Sequence, residues 1–327
     1  MIENNRQVIQ DLVSRIGKPR GIFIAARVSS DNAARYAQYV WGAYNRIPVT
    51  LATPSLFSIY RQPPDLRDML VLGISQSGES PDLSAVIKEG KAQGCRTLAI
   101  TNHPSSPLGE TAEEVIDIRA GEEKSIAATK TYTAQLGTIA MLSAAWNGSD
   151  QQWSQIEAIP RWLEGMADLE QEIKTYAEDF REMERCIVLG RGFNYATAYE
   201  WSLKLTELAY LFAQPYSSAD FQHGPIAAVR DGFPVLAAAP HGKVYPDLYR
   251  LLSTLKNKHQ ARLLIVSDQQ EALDLANAPL PLRPGIPEWL SPFPTVVAAQ
   301  LFSFYLTKAK GYDPDHPRGL TKVTKTY

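Results

Sequence analysis

Short apolar runs that end in turn residues recur along the first 150 residues, and a stretch with helical spacing follows most of them. Apolar runs of this length are typical of buried strands. Strands that alternate with helices predict an α/β fold with a parallel, doubly wound sheet. The predicted strands cover residues 21–26, 49–52, 70–74, 97–101 and 115–118, and predicted helices cover residues 5–16 and 125–146.

The pattern then restarts after a polar segment with helical spacing, residues 149–185. The run at residues 186–192 is similar to residues 23–28, and the same offset places Gly242 on Gly78. Two copies of one unit explain this repetition. The sequence therefore predicts a first domain over residues 1–150, a helical connection over 151–180 and a second domain over 181–327.

A hydroxyl-rich turn, Ser75-Gln76-Ser77-Gly78-Glu79-Ser80, follows the apolar run at residues 70–74. Ser80 is a favourable N-cap, and Pro81 fits the first position of a helix. The free N–H groups of a helix start, together with neutral side-chain donors, favour a bound anion. The turn lacks basic residues and the P-loop spacing, which favours a single sugar phosphate over a triphosphate. The alternative is a serine-rich turn that binds nothing.

Two carboxylates near this turn bear on the phosphate hypothesis. Glu79 and Asp82 would repel an anion, so both side chains are expected to point away from it. The second copy has Ala239-Pro240-His241-Gly242 at the equivalent position, without the serine hydroxyls. Only the first copy is therefore expected to hold a phosphate.

Composition and charge narrow the class of partner. The chain has 327 residues, a net charge of −2 and no block of like charge. These features argue against nucleic acid and membrane surfaces and favour a small molecule. A charged leader and an apolar run of about 20 residues are both missing, which predicts a cytoplasmic location. Gly190-Arg191-Gly192 imitates a dinucleotide fingerprint but lacks its acidic residue, and neither a metal nor a cofactor is expected.

A row of charges is the first candidate for chemistry. Glu200, Lys204 and Glu207 share one stripe of a helix predicted over residues 195–213. The row is either solvated, as charged rows on helices commonly are, or a carboxylate base with an ammonium beside it. The residues alone leave both interpretations open.

Two further candidates lie outside predicted helices. His223 is followed by a Gly-Pro break and is expected in a loop, and histidine titrates near neutral pH. The alternative is a turn residue without a chemical role. Lys322 ends a proline-rich tail. Tails are usually frayed, but the apolar Leu320 indicates a segment that docks. Such a segment would bring a lysine to a site.

Taken together, these motifs resemble the sugar-isomerase (SIS) family, and more closely the isomerase half of glucosamine-6-phosphate synthase. The resemblance extends in order from about Gly21 to Lys322. The motifs that carry it are Ser75-Gln76-Ser77-Gly78-Glu79-Ser80, Ala128-Thr129-Lys130, residues 200–207, Gln222-His223-Gly224-Pro225 and Pro317-Arg318-Gly319-Leu320-Thr321-Lys322.

The resemblance implies two tandem flavodoxin-like SIS domains that form a homodimer, with the C-terminal tail closing the active site. It implies that Glu207 moves the proton between C1 and C2 and that Lys204 supports the charge beside it. It also implies that His223, lent across the interface, helps to open the sugar ring, and that Lys322 reaches the open-chain carbonyl. The residues expected to bind the phosphate and the sugar hydroxyls are Ser29, Ser75, Gln76, Ser77 and Ser80.

This chemistry needs a base and a donor and no cofactor. An amidotransferase half with a cysteine nucleophile does not precede the sugar domain, so glutamine is not expected to supply the nitrogen. The chain resembles the stand-alone SIS-type deaminases that convert glucosamine 6-phosphate to fructose 6-phosphate and ammonia. The alternatives are a plain aldose–ketose isomerase, a fructosamine-phosphate deglycase and a non-catalytic phosphosugar sensor. Val28, Ala128 and Ser80 depart from the synthase pattern and leave the sugar open.

Overall fold

The computed structural model describes residues 1–322, which divide into two compact units. Unit 1 comprises residues 1–157 together with Thr321 and Lys322 of the C-terminal tail. Unit 2 comprises residues 158–320. The division between them falls inside the polar segment that separates the two copies in the sequence.

Unit 1 is a parallel sheet flanked by helices. In chain order its elements are α1 (Ile2–Ile16), β1 (Gly21–Ala26), α2 (Ser29–Asn45), β2 (Val49–Leu51), α3 (Ser55–Ser58), β3 (Met69–Ser75), α4 (Pro81–Ala92), β4 (Arg96–Thr101), α5 (Pro107–Thr111), β5 (Glu114–Asp117), α6 (Lys130–Asn147) and α7 (Asp150–Glu157). The strand order is β2-β1-β3-β4-β5, with pairs such as Ile24 beside Leu72 and Leu72 beside Leu98.

The central strands of unit 1 carry continuous apolar side chains because both faces of the sheet are covered. All six residues of β1 are buried. On one face Val71 and Phe23 pack with Val86 and Ile87 of α4. On the other, the indole of Trp41 on α2 donates a hydrogen bond to a backbone carbonyl of α6 at 3.0 Å. This two-sided burial confines polar side chains to the ends of the strands.

Unit 2 repeats the same architecture. Its elements are α8 (Ile159–Leu163), α9 (Glu170–Asp179), β6 (Arg185–Gly190), α10 (Tyr195–Ala209), β7 (Phe212–Ser217), α11 (Ser218–Gln222), β8 (Pro234–Ala238), α12 (Tyr245–Asn257), β9 (Arg262–Ser267), α13 (Gln270–Leu273), β10 (Ala278–Pro281) and α14 (Pro292–Ala309). The strand order β7-β6-β8-β9-β10 matches that of unit 1. Within residues 1–322, each of the two sheets has five parallel strands, which confirms the predicted pair of flavodoxin-like domains.

Two predicted helix bounds are wrong. The helix predicted over residues 125–146 begins at Lys130, because the Glu123 carboxylate accepts hydrogen bonds from the backbone N–H groups of Thr129 and Thr131 and fixes the helix start there. The helix predicted to reach residue 213 ends at Ala209, because Tyr210 adopts the left-handed conformation. Phe212 therefore opens β7, where it is 85% exposed, instead of extending an apolar helix stripe.

No helix in the described part of the chain is both long enough and apolar enough to span a membrane.

We expect Asn45→Ala to lower the free energy of unfolding by about 2 kcal/mol, because a removed partner leaves buried polar groups unsatisfied. The fully buried Asn45 side chain donates to the Ser143 carbonyl at 3.0 Å and accepts from the Ser143 hydroxyl at 2.8 Å, which ties α2 to α6. Urea unfolding followed by circular dichroism measures the change. The exposed Asn257 is the matched control, since Asn257→Ala should stay within about 0.5 kcal/mol. Equal effects of the two substitutions would refute the role of Asn45.

Candidate functional site

The serine turn lies where the strand order of unit 1 reverses. Ser75 is the last residue of β3, whose neighbours in the sheet are β1 and β4. Helices that leave adjacent strands on opposite faces open a crevice at this edge, and ligands of doubly wound sheets bind there. The topology therefore places the turn at the edge where this fold binds ligands.

Hydrogen bonds inside the turn fix its shape. The Ser75 hydroxyl accepts from the Gly78 backbone N–H at 3.0 Å, and the Ser77 hydroxyl accepts from the Glu79 N–H at 3.3 Å. Gly78 has a φ of 68°, and a Cβ there would lie 1.9 Å from the Ser106 hydroxyl oxygen. Both constraints require glycine at this position.

Ser80 occupies the predicted N-cap position of α4, and Pro81 is its first residue. The Ser80 side chain makes no capping hydrogen bond, so the helix does not use its hydroxyl. Asp82, the second residue of α4, is one of the two carboxylates that were expected to point away from a bound anion. It is buried and pairs with Arg27 of the neighbouring strand end, with 2.9 Å between Nε and Oδ2.

Ser29, the remaining predicted phosphate ligand, is the first residue of α2 and is buried beyond the end of β1. Val28 precedes it with φ 54° and ψ −122°, a conformation that is strained for a β-branched residue. Its side chain is 56% exposed. The departure from the family pattern at Val28 therefore coincides with a strained backbone position directly before Ser29.

Lys322 is brought to the serine turn within unit 1. It lines a cleft of about 680 Å³ together with Gln76, Ser77, His103 and Glu123. The cleft lies beyond the carboxyl ends of β3, β4 and β5. The tail lysine and part of the predicted phosphate turn thus share one cleft.

The charged row of α10, in unit 2, is buried and not solvated. Lys204 Nζ lies 2.5 Å from Glu207 Oε2 and 3.5 Å from Glu200 Oε1. The side chains of Glu200 and Lys204 are 0% and 1% exposed, whereas that of Glu207 is 19% exposed. Burial lowers the pKa of Lys204, but the two carboxylates outweigh it and hold the pKa above its usual value. Lys204 therefore stays charged, and Glu207 is the member of the row that reaches solvent.

His223 follows the short helix α11 and is exposed. It lies in unit 2 with Lys204 and Glu207, whereas Lys322 and the serine turn lie in unit 1.

The equivalent turn in unit 2 is contacted by a carboxylate. The Glu288 carboxylate lies against Gly242 and accepts a hydrogen bond from the Lys243 backbone N–H at 3.0 Å. His241 is hydrogen-bonded to Asp268, whose side chain is 3% exposed. The cavity that remains beside them measures about 10 Å³, the size of one water site.

Sequence reasoning assigned no role to two buried glutamates, each of which is paired with a predicted site lysine. Glu123 was expected to lie just before a long helix and carried no motif of its own. Glu200 was assigned to the charged row without a role, although its carboxylate is fully buried against Lys204. In both residues the signal is a buried carboxylate paired with a lysine, and burial is not readable from residue spacing alone.

Comparison with known proteins gives the family. The SIS domain matches residues 16–145 and 179–307. Glutamine--fructose-6-phosphate aminotransferase (isomerizing) from Gloeobacter violaceus is 37% identical over 313 residues, which cover 92% of this chain and 51% of that protein. The chain thus spans about half the length of this curated relative.

Solved structures are also similar to this chain. The C-terminal domain of glucosamine-fructose-6-phosphate aminotransferase from Francisella tularensis aligns with a TM-score of 0.84 and 26% identity, covering 97% of this chain and 96% of that one. Glucosamine-6-phosphate deaminase from Thermotoga maritima aligns with a TM-score of 0.76 over 99% of this chain and 98% of its own, and at 20% identity this likeness concerns the fold alone. Relatives named as enzymes confirm the predicted enzyme class, and the chain belongs to the SIS (sugar isomerase) domain family, with one SIS domain in each unit.

Proposed function

We propose that this chain is an isomerising deaminase that converts glucosamine 6-phosphate and water to fructose 6-phosphate and ammonia. The observation that carries the proposal is the cleft of unit 1, in which Lys322 lies beside Gln76 and Ser77 of the serine turn. An open-chain phosphosugar requires two things of its enzyme: a site for the phosphate, and an amine that can contact the carbonyl.

In this proposal the phosphate is held by neutral donors. Ser75, Ser77 and Ser80 supply hydroxyls, and the start of α4 supplies backbone N–H groups and the positive end of the helix dipole. Gln76, from the same turn, and Ser29, from the neighbouring turn, complete the contacts to the phosphate and the sugar hydroxyls. The pairing of the buried Asp82 with Arg27 supports this role, because the guanidinium offsets the repulsion between this carboxylate and a bound anion.

Glu207 is the proposed base. It removes the proton from C2 of the open-chain aldehyde and returns it to C1, which converts the amino aldehyde to a 2-imino sugar. Water then adds to this C=N bond, the nitrogen leaves as ammonia, and C2 becomes the ketone. Lys204 supports the charge beside Glu207, and Lys322 donates to the developing oxygen at the carbonyl. The partial exposure of Glu207, next to a fully buried lysine, supports its assignment as the group that contacts substrate.

His223 has the proposed role of opening the sugar ring. Its exposure suits contact with a ligand, and in the homodimer that we propose it is supplied by the opposite subunit. The proposed location of this enzyme is the cytoplasm.

A panel of sugar 6-phosphates, scored separately for ammonia and for ketose, tests the proposal. The panel includes glucosamine 6-phosphate, its C4 epimer, a fructosamine 6-phosphate linked to an amino acid, and plain aldose 6-phosphates. Ammonia and fructose 6-phosphate in equal amounts from glucosamine 6-phosphate are expected. Ketose from a plain aldose alone would instead indicate an isomerase, release of an amino acid a deglycase, and tight binding without turnover a sensor.

We expect Glu207→Gln to lower kcat for ammonia release at least about a hundredfold, because an amide cannot carry the proton between C2 and C1. Lys204 keeps Glu200 as a partner in this variant, so the fold should be retained. The matched control is Glu178→Gln, an exposed glutamate of α9, which should leave kcat unchanged. A Glu207→Gln enzyme with more than about a third of the normal kcat would exclude this base.

We expect Ser80→Ala to raise KM for the sugar phosphate about tenfold, because a hydrogen bond to a charged group is lost. Its melting temperature should not change, since the Ser80 hydroxyl caps nothing. Ser149→Ala is the opposite control. Its hydroxyl accepts from the Gln152 N–H at 3.2 Å at the start of α7, so this variant should lose about 1 kcal/mol of stability and keep its KM. A KM that responds equally to both substitutions would contradict phosphate binding by Ser80.

We expect Lys204→Met to lower the free energy of unfolding by about 3 kcal/mol, because it removes the buried ammonium that is paired with the fully buried Glu200 carboxylate. Adding Glu200→Gln should restore part of this loss, and urea unfolding measures both. Lys174→Met is the control, since the Lys174–Glu170 pair is exposed and should be worth less than about 1 kcal/mol. Similar losses of unfolding free energy in the Lys204 and Lys174 variants would mean that the buried Lys204–Glu200 pair stabilises the fold no more than an exposed pair.

A further inference from the structure

Glu123 lies in the loop between β5 and α6, and its side chain is 2% exposed. Its carboxylate accepts from the Thr129 N–H at 2.9 Å and from the Thr131 N–H at 3.2 Å. It also accepts from the Thr131 hydroxyl at 2.5 Å and the Thr129 hydroxyl at 3.4 Å. A buried charge is retained only where such partners compensate for its lost hydration.

A further donor to the Glu123 carboxylate comes from the C-terminal tail. Lys322 Nζ lies 3.2 Å from Glu123 Oε2 and donates to the Ser125 carbonyl at 2.6 Å. An ammonium has three N–H donors, so these two acceptors leave one position for another group. Because Lys322 also lines the cleft beside Gln76 and Ser77, this pairing sets where its nitrogen lies relative to the serine turn.

The charge of Glu123 is fixed. Burial raises its pKa, but hydrogen bonds from Thr131 and Thr129, with the nearby charge of Lys322, outweigh this and hold the pKa below its usual value. Near neutral pH the group is therefore a carboxylate and a poor proton acceptor. It can attract an ammonium, but it is unsuited to act as a base.

We propose that Glu123 is a positioning residue that holds the Lys322 side chain in the cleft beside the serine turn. This inference rests on the proposed function only for the role of Lys322 in turnover. The pairing itself anchors Thr321 and Lys322 of the C-terminal segment in unit 1, whichever sugar phosphate is bound. The rival interpretation is that Glu123 serves only to cap the start of α6.

Trypsin tests the anchoring without reference to activity, because it cleaves after a lysine only when that side chain is free to enter its specificity pocket. We expect Glu123→Gln to speed cleavage of the bond after Lys322 about tenfold, since proteolysis follows the population of the open form. The mass of the truncated chain identifies the cleaved bond. Glu114→Gln is the matched control, because Glu114 pairs with Arg15 at 2.8 Å on the surface, and it should leave this cleavage unchanged.

The variant Thr131→Val tests whether Glu123 anchors Lys322 or serves only to cap the start of α6. This variant removes a hydroxyl that donates to Glu123 but keeps the carboxylate and its charge. We expect cleavage after Lys322 to stay within about twofold of the unmodified chain, because the attraction between the charges persists. If Thr131→Val accelerated this cleavage as much as Glu123→Gln, or if Glu123→Gln had no effect, the proposal would be overturned.

Steady-state kinetics tests whether the pairing of Glu123 with Lys322 affects turnover. In the full-length enzyme we expect Glu123→Gln to lower kcat about tenfold and to change KM for the sugar phosphate less than about threefold, because the serine turn is untouched while Lys322 is misplaced. A KM that rises with no change in kcat would contradict this role. If no sugar phosphate were turned over and the trypsin result still held, the anchoring would stand and the proposed function would fail.

Discussion

Burial of both faces of each sheet is the constraint on which the remaining features depend. A parallel sheet covered by helices on either side favours apolar side chains along the middle of its central strands, as the fully buried β1 illustrates. Polar groups are therefore excluded from the middle of the sheet and collect where strands end. Because parallel strands all end at one edge, residues as distant in sequence as Ser29, Ser75 and Glu123 follow the strands of one sheet at the same edge.

The two copies share this covered parallel sheet, and they differ in the turns at the carboxyl-terminal edge of its strands. In unit 1 the guanidinium of Arg27 pairs with Asp82 at the start of α4, and in unit 2 Arg191 pairs with Asp247 at the start of α12, 3.3 Å apart. The repeated pair holds the first turn of a helix against the neighbouring strand end in each copy. The turns of the two copies differ. In the second copy the Glu288 carboxylate lies against the turn at Gly242, and the turn lacks the serine hydroxyls that the first copy has.

Sequence patterns were sufficient for the features that depend on local spacing. The strands, the serine turn and Pro81 at the start of α4 follow from short-range rules about apolar runs and helix starts. The arrival of Lys322 in the cleft beside that turn also followed from a motif, although the geometry of its pairing did not. The start of α6 could not be predicted, because it is set by a carboxylate seven residues before Lys130 that folds back onto the helix. The left-handed turn at Tyr210 likewise interrupts a helical pattern that reads as continuous.

Burial excludes one of the two interpretations of the charged row. A glutamate, a lysine and a second glutamate at helical spacing are usually solvated, but Glu200 and Lys204 are buried, and the role of Glu207 as a base stays a prediction. The same arrangement recurs at the cleft of unit 1, where Lys322 is paired with a buried carboxylate. Arg27 and Lys322 are both paired with acids, which reduces the attraction that these two cations would offer the proposed phosphate, whereas Arg119 also lines the cleft without an acidic partner among the described ion pairs. In the proposed mechanism, a lysine held in this way is available to the reacting carbonyl.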